Sequence, residues 1–199
     1  MPANTLPKTI QNFVEAIRGH FADGKEGADL WQSVSEDLKT LLADPSLIQQ
    51  SKSWPDTKQG DGPPSNLLFY EDPDHGFVLN ALVKGPNSVT NVHDHGPSWT
   101  LYGVLDGGEH IQRFSRVDDN PAESGPAELK LNGEFDVKPG YIDLVPPWEI
   151  HQETNGDHRT IGFIVRSQKS GTFKQFCYNP ENGRIASYNG PTQIPFSLL

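Results

Sequence analysis

The chain changes its hydrophobic period near residue 50. Before that point Ile10, Phe13, Val14, Ile17 and Phe21 recur at helical spacing after Pro7, and Trp31, Val34, Leu38, Leu41 and Leu42 repeat the pattern before Asp44-Pro45. Each stripe makes one apolar face of an amphipathic helix, which must be buried against something. The two helices predicted for the prefix 1–50 are therefore assigned to one outside face of a sheet. Residues 51–65 hold Gly60, Gly62, Pro63 and Pro64, which interrupt either period and read as a crossing loop.

From Asn66 onward the chain reads as short strands with turn punctuation. The alternation predicts strands over 67–70, 77–83, 89–95, 99–105, 109–116, 128–131, 141–145, 150–154, 160–166 and 173–178. Asp106-Gly107, Asn132-Gly133, Asn155-Gly156 and Asn182-Gly183 each supply residues that tolerate positive φ, and each reads as a hairpin signal. So many strands at such spacing predict an all-β sandwich or barrel over 66–187, and residues 118–126 a polar loop within it. At 199 residues with 34% hydrophobic content, one domain with a real core is expected, the helical prefix included.

Composition then narrows the partners. A net charge of -10 without a Lys/Arg cluster disfavours a nucleic acid backbone. No apolar run approaches a membrane span and no basic, apolar leader opens the chain, so a soluble, cytoplasmic protein without a membrane partner is expected. The single cysteine, Cys177, excludes an internal disulfide and reads as a strand residue.

The candidate chemistry lies in His93-Asp94-His95 and in His151. On a strand successive side chains point to opposite faces, so His93 and His95 share a face while Asp94 points away. A third imidazole from a distant strand completes a facial set for one metal ion. The bland alternative keeps the same histidines as core or surface residues with no ion. His20, His75, His110 and His158 are read as helix-end, turn and corner residues.

These segments resemble the cupin family. Gly140, Pro146, His151 and Asn155 match the spacing of its second motif, with Trp148 where the family has a second glycine; the first motif is looser around Gly85, His93 and His95. The glutamate that most cupins place shortly after the paired histidines is missing from Gly96-Pro97-Ser98-Trp99-Thr100. The ligand set this implies, three neutral histidines, is similar to that of the thiol dioxygenases. Asn66-Leu67-Leu68, 103–107, Pro139-Gly140 and 178–183 extend that likeness. It implies a jelly-roll barrel, Fe(II) on His93, His95 and His151, and conversion of a thiol with O2 to a sulfinic acid, although imidazole also suits other divalent first-row metals. With no anionic protein ligand, the ion favours an anionic substrate.

Departures from that family are specific. Ser65 stands where cysteine dioxygenases hold the substrate carboxylate with an arginine, Thr100 where they have a cross-linked cysteine, and Arg166 where the linked tyrosine would be. Cysteine is therefore an unexpected substrate, and a small carboxylated thiol other than cysteine is expected. If Ile164 and Arg166 face inward, Arg166 offers a bidentate cation to a substrate oxyanion, or else a salt bridge at the rim. Thr100 and Tyr102 would bring hydroxyls near the open metal positions, unless Tyr102 only packs the core. Glu153 could orient a ligand or accept a proton, or pair with an arginine. Trp99, Trp148, Phe163 and Phe69 are candidate pocket walls, although aromatic residues in a barrel are more often ordinary core. Two other functions remain open at this point: oxidative cleavage of a diketone-like enolate, and a non-catalytic metal-binding cupin.

Overall fold

The computed structural model describes residues 6–118 and 126–199, so most of the polar loop expected at 118–126 lies outside the described residues. Helices α1 (Lys8–Ala22), α2 (Gly27–Leu42) and α3 (Pro45–Ser51) precede strands β1 (Ser65–Glu71), β2 (Val78–Lys84), β3 (Val92–His93), β4 (Thr100–Asp106), β5 (Glu109–Arg116) and β6 (Leu129–Val137). Strands β7 (Ile142–Val145), β8 (Ile150–Thr154), β9 (Thr160–Arg166), β10 (Gln175–Tyr178), β11 (Ile185–Tyr188) and β12 (Thr192–Pro195) follow. They form two six-stranded sheets, ordered β12-β1-β2-β9-β4-β7 and β11-β10-β3-β8-β5-β6. No helix among the described residues is long and apolar enough to cross a membrane.

The helices cover the outer face of the first sheet. Ile10, Phe13, Val14 and Ile17 of α1 and Trp31, Val34, Leu38 and Leu42 of α2 join Leu67, Phe69, Leu79, Ala81, Leu101, Phe163 and Val165 in one apolar cluster. Gly103 makes this approach possible, since a Cβ there would lie 2.7 Å from the Leu42 side chain. With helices on one face and the second sheet on the other, β2 and β9 are buried at every position. Strand alternation then decides the inner face, and on this sheet it carries Asn66, Asn80, Lys84, Thr100, Tyr102 and Arg166 beside Leu82 and Ile164.

Several boundaries differ from the sequence expectation. Asp44-Pro45 ends α2 but also opens α3: the Asp44 carboxylate accepts from the Ser46 and Leu47 amides at 2.7 and 3.3 Å, and proline suits the first helical position. Of the four hairpin signals, only Asn182-Gly183 joins two paired strands, β10 and β11. Asp106-Gly107 and Asn155-Gly156 are corners where the chain passes from one sheet to the other, because β4 pairs with β7 and β9 whereas β5 pairs with β6 and β8. Asn132-Gly133 lies inside β6, at the register shift opposite Arg113 and Phe114. A residue that tolerates positive φ permits a bend; which strand is paired after it depends on the face that must be buried.

Candidate metal centre

The three histidines meet through strand register. His93 is directly opposite His151 in the β3–β8 pair, so both side chains leave the same face of the second sheet. His95 lies past the end of β3 and is brought round by Asp94. The buried Asp94 carboxylate accepts from the Gly96 and Phe176 amides at 2.9 and 3.1 Å and from the Tyr178 hydroxyl at 2.7 Å. Gly96 takes φ 57, and a Cβ on it would collide with the Lys174 carbonyl. The second motif is tied to the same turn, since the Trp148 amide donates to the Gly96 carbonyl at 2.9 Å. Trp148, standing where the family has glycine, adopts φ 66, a strained conformation for a bulky residue.

The imidazole centroids are 5.1, 4.7 and 4.8 Å apart, and one nitrogen from each ring lies within 4.8 Å of the others. Two nitrogens each about 2.1 Å from one ion can be at most about 4.2 Å apart, so a small ring rotation completes the set. The donors suit a cation. His93 Nδ1 lies 2.9 Å from the Asn91 carbonyl, which fixes the proton there and leaves Nε2 as the ligand atom. Buried His95 Nδ1 and both ring nitrogens of His151 have no hydrogen-bond partner. Burial lowers His95 well below the usual histidine range, helped by the nearby Arg166. Burial also brings His151 down to about 3 although Glu153 opposes it. Both rings are therefore neutral with free lone pairs, the form that binds a metal.

A cavity of about 280 Å³ opens beside the set, lined by His93, His95, Thr100, Tyr102, Glu153 and Arg166 among others. The Thr100 hydroxyl is buried and unpartnered, directly opposite Arg166 in the β4–β9 register. Tyr102 has a different commitment: its hydroxyl donates to Glu109, which pairs with Lys84 Nζ at 2.5 Å. Gly162 permits this, because a Cβ there would collide with the Tyr102 ring. Arg166 donates from Nη1 to Ser170 at 2.9 Å, while its buried Nε has no partner. No carboxylate pairs with it among the described residues, so the rim salt bridge considered from sequence is not formed. Burial lowers the guanidinium from its usual value, against the pull of Tyr188 and Glu153, yet a guanidinium stays charged at any ordinary pH.

Glu153 also corrects an expectation. Its partner is not an arginine: Oε2 accepts from the Thr90 hydroxyl at 2.8 Å, and Oε1 lies 3.9 Å from His151 Nε2. Burial alone would raise this carboxyl; the buried Lys84 ammonium and the Thr90 bond oppose it and favour the ionised form. Of the two readings of the aromatic residues, the core holds for Phe69, Phe163 and Trp99. Phe69 and Phe163 point to the helices and Trp99 packs against that same core, while Trp148 is 53% exposed. Apolar walls come instead from Leu82, Ile164, Pro63, Pro64 and Pro191. Sequence reasoning placed Asn66 only within a resemblance and missed Lys58 and Tyr188, all of which line the cavity. Strand alternation counted back from inward-facing residues would have pointed to Asn66. Tyr188 sits on the unexpected β11 and had no comparable signal. Cys177, read as an ordinary strand residue, faces His93 across the β3–β10 pair and lines the cavity, its thiol pushed up by burial.

The remaining histidines have ordinary partners. His20 lies 2.7 Å from Asp37, His75 stacks on Phe21, His110 meets Asp136 at 2.8 Å, and His158 lies 3.1 Å from the Gly108 carbonyl.

No protein-family model matches the chain. Among solved structures it is similar to the Cnp3 cupin domain of Schizosaccharomyces pombe, at 8% identity over 52% of this chain and 64% of that one, with a TM-score of 0.39. It is also similar to an uncharacterized conserved protein with a double-stranded beta-helix domain from Klebsiella pneumoniae, at 17% identity over 64% and 80% of the two chains, TM-score 0.39. The DMSP lyase DddQ from Ruegeria pomeroyi matches at 12% identity over 55% and 46%, TM-score 0.39. The chain spans less than two thirds of the first and third of these. The chemistry of the site is carried by its own residues.

Proposed function

We propose that the two sheets form a cupin jelly roll and that the chain is a mononuclear non-haem Fe(II) dioxygenase of the thiol dioxygenase type, acting on a small anionic thiol other than cysteine. One observation carries the reading: three converging imidazoles, two of them with unpartnered buried nitrogens, open onto a cavity whose far wall holds a guanidinium without a carboxylate. The overall reaction is RSH + O2 → RSO2H, in which sulfur loses four electrons, dioxygen gains them, and both oxygen atoms end on sulfur. An Fe(II) ion held by His93, His95 and His151 would supply open coordination positions and the redox chemistry dioxygen needs.

The chain's residues do the rest. Neutral ligands leave the ion its full charge, which favours a thiolate over a thiol. Glu153, ionised and fixed by Thr90, stands beside His151 as the nearest carboxylate acceptor for the thiol proton. Tyr102, locked by Glu109, shapes the floor. The absence of an arginine at Ser65 supports a substrate other than cysteine.

The test is oxygen consumption by protein loaded anaerobically with Fe(II), offered cysteine, other carboxylated thiols and β-diketones, with products identified by mass spectrometry. A sulfinate from a carboxylated thiol, at a higher kcat/KM than from cysteine, is the expected result. Cleaved diketone would favour the enolate reading, and a fully loaded protein inert to the whole panel would make it a metal-binding module.

A further inference from the structure

We infer that residues 60–64 form a lid over the mouth of the cavity, latched by the Lys58 ammonium, and that whatever reaches the three histidines enters by lifting it. Exposed residues that also line the cavity mark the mouth: Asp61 and Pro63 on this loop, Asn91 before β3 and Ala186 on β11. The root of the loop is pinned. The Thr57 and Lys58 amides donate to the Val83 carbonyl at 2.8 and 3.1 Å, and the Thr57 carbonyl accepts from the Ser65 amide at 3.0 Å, so the two ends of the loop meet. The tip lacks such support. None of residues 60–64 joins a helix, a long strand or either apolar cluster, and Pro63 and Pro64 have no amide to donate. Apart from the turn bond of the Gly62 amide to the Gln59 carbonyl, two groups tie the tip down among the described residues. The Val89 amide donates to the Gly60 carbonyl at 3.2 Å, and Lys58 Nζ donates to the Gly60 and Gly62 carbonyls at 2.9 and 2.6 Å.

The charge on Lys58 suits a fastener that must release. The side chain is buried and lines the cavity, so its ammonium needs partners in every state of the loop. Asp61 on the lid and Glu153 on β8 both attract it, while Lys84 repels it. When the lid lifts, the ammonium keeps the Glu153 carboxylate inside the barrel, and opening exchanges its partners instead of stranding a buried charge. Gly60, at φ 52, holds a backbone conformation that side chains rarely adopt and gives the lid a pliable end, while the two prolines stiffen the other. Segments with few buried apolar contacts open at a small fraction of the global unfolding free energy. The lid requires no particular reaction behind it; the use of a metal ion to read its opening rests on the proposed function.

Hydrogen exchange at the Val89 and Gly62 amides of the metal-free full chain reads the lid without any metal. Lys58→Met, which keeps the length of the side chain and removes its donors, is expected to speed exchange there by at least about tenfold while the amides of β2 and β9 keep their protection. Lys58→Arg, which can still donate to both carbonyls, should restore most of the protection. Asp61→Asn alters only an exposed residue, so it carries the test if Lys58→Met does not fold; about twofold to fivefold faster exchange is expected there. Zn(II) is the second probe. Its uptake, and its release to a chelator, should quicken by the same factor in Lys58→Met at an unchanged Kd, because a lid controls access and not the bound state. Unchanged exchange at Val89 and Gly62 in Lys58→Met, or in Asp61→Asn where only that variant folds, overturns the lid, and so does a lower Zn(II) affinity without faster uptake. Faster exchange in a protein that takes up no Zn(II) leaves the lid standing and sinks the metal centre.

Discussion

Replacing Asp94 tests whether the turn after His93 is what delivers His95. The carboxylate satisfies two backbone amides of adjoining segments, Gly96 and Phe176, together with the Tyr178 hydroxyl, and its side chain is buried. In Asp94→Ala all three bonds vanish. The hydroxyl is only partly buried and can find water, but the two amides are left without acceptors in the interior. At about 1–3 kcal/mol for each orphaned buried group, the expected loss is roughly 3–5 kcal/mol, a large share of a typical domain's stability. Asp94→Asn keeps one carbonyl oxygen for the amides and places its NH2 where the tyrosine oxygen can accept, so about 1 kcal/mol is expected. Metal affinity should follow the same order. A residue that orients a ligand typically changes affinity by about 10–100-fold when removed, so Ala should lose about that much for Fe(II) or Zn(II) while Asn stays within severalfold of wild type. Urea unfolding and a competitive chelator titration measure the two quantities. An alanine variant within about 1 kcal/mol of wild-type stability and with undiminished metal affinity would refute the argument.

Other perturbations probe other parts of the interior. His151→Ala should abolish stoichiometric metal loading, measured by elemental analysis, while its far-ultraviolet circular dichroism stays that of the wild type. Lys84→Met leaves the Glu109 carboxyl buried beside Tyr102 without its cation and should cost about 3–5 kcal/mol in urea unfolding, much of which Lys84→Met with Glu109→Gln should restore. Asp143 gives a pH signature. Burial raises its carboxyl to about 6 despite the Arg113 partner, so the native state keeps a proton that the unfolded chain gives up at lower pH. Stability from that proton is present below about pH 4 and lost as pH rises through about 6, up to roughly 3 kcal/mol, and Asp143→Asn should flatten that window of the urea midpoint profile.

Much of this site could be read from strand period alone. The spacing of His93 and His95 and the inward parity of Thr100, Tyr102, Ile164 and Arg166 follow from two-residue alternation once a single inward residue is known. Helical spacing likewise located the apolar faces of α1 and α2. What could not be read is set by long-range pairing. Asn155-Gly156 has the form of a hairpin turn, yet Asn155 accepts from the Ser88 amide and donates to the carbonyls of Gly85 and His158, fastening a corner between the sheets. Alternation puts Asp94 off the ligand face, but no local pattern says that its carboxylate meets an amide and a hydroxyl from β10. Phe69 and Phe163 suit both a cavity and a core by residue type; their parity, opposite to that of Arg166, decides for the core.

The division of labour between the sheets has a consequence for specificity. The imidazoles belong to the central strands of one sheet and the turn after β3, and the unpaired Thr100 hydroxyl and Arg166 Nε to the other, so under the proposed function the separation of the sheets limits the length of a substrate that reaches both. Arg113 of β5 bridges that gap to Asp143 of β7, and Asn155 ties the corner where β8 turns into β9. Arg113 itself sits directly opposite His151 in the β5–β8 register, so a shift of β5 reaches the ligand set. Substituting an apolar wall residue such as Leu82 or Ile164 changes the space in the cavity while both anchors stay in place. Loosening the Arg113 bridge instead changes the distance between the anchors, and with it the preferred chain length of the ligand.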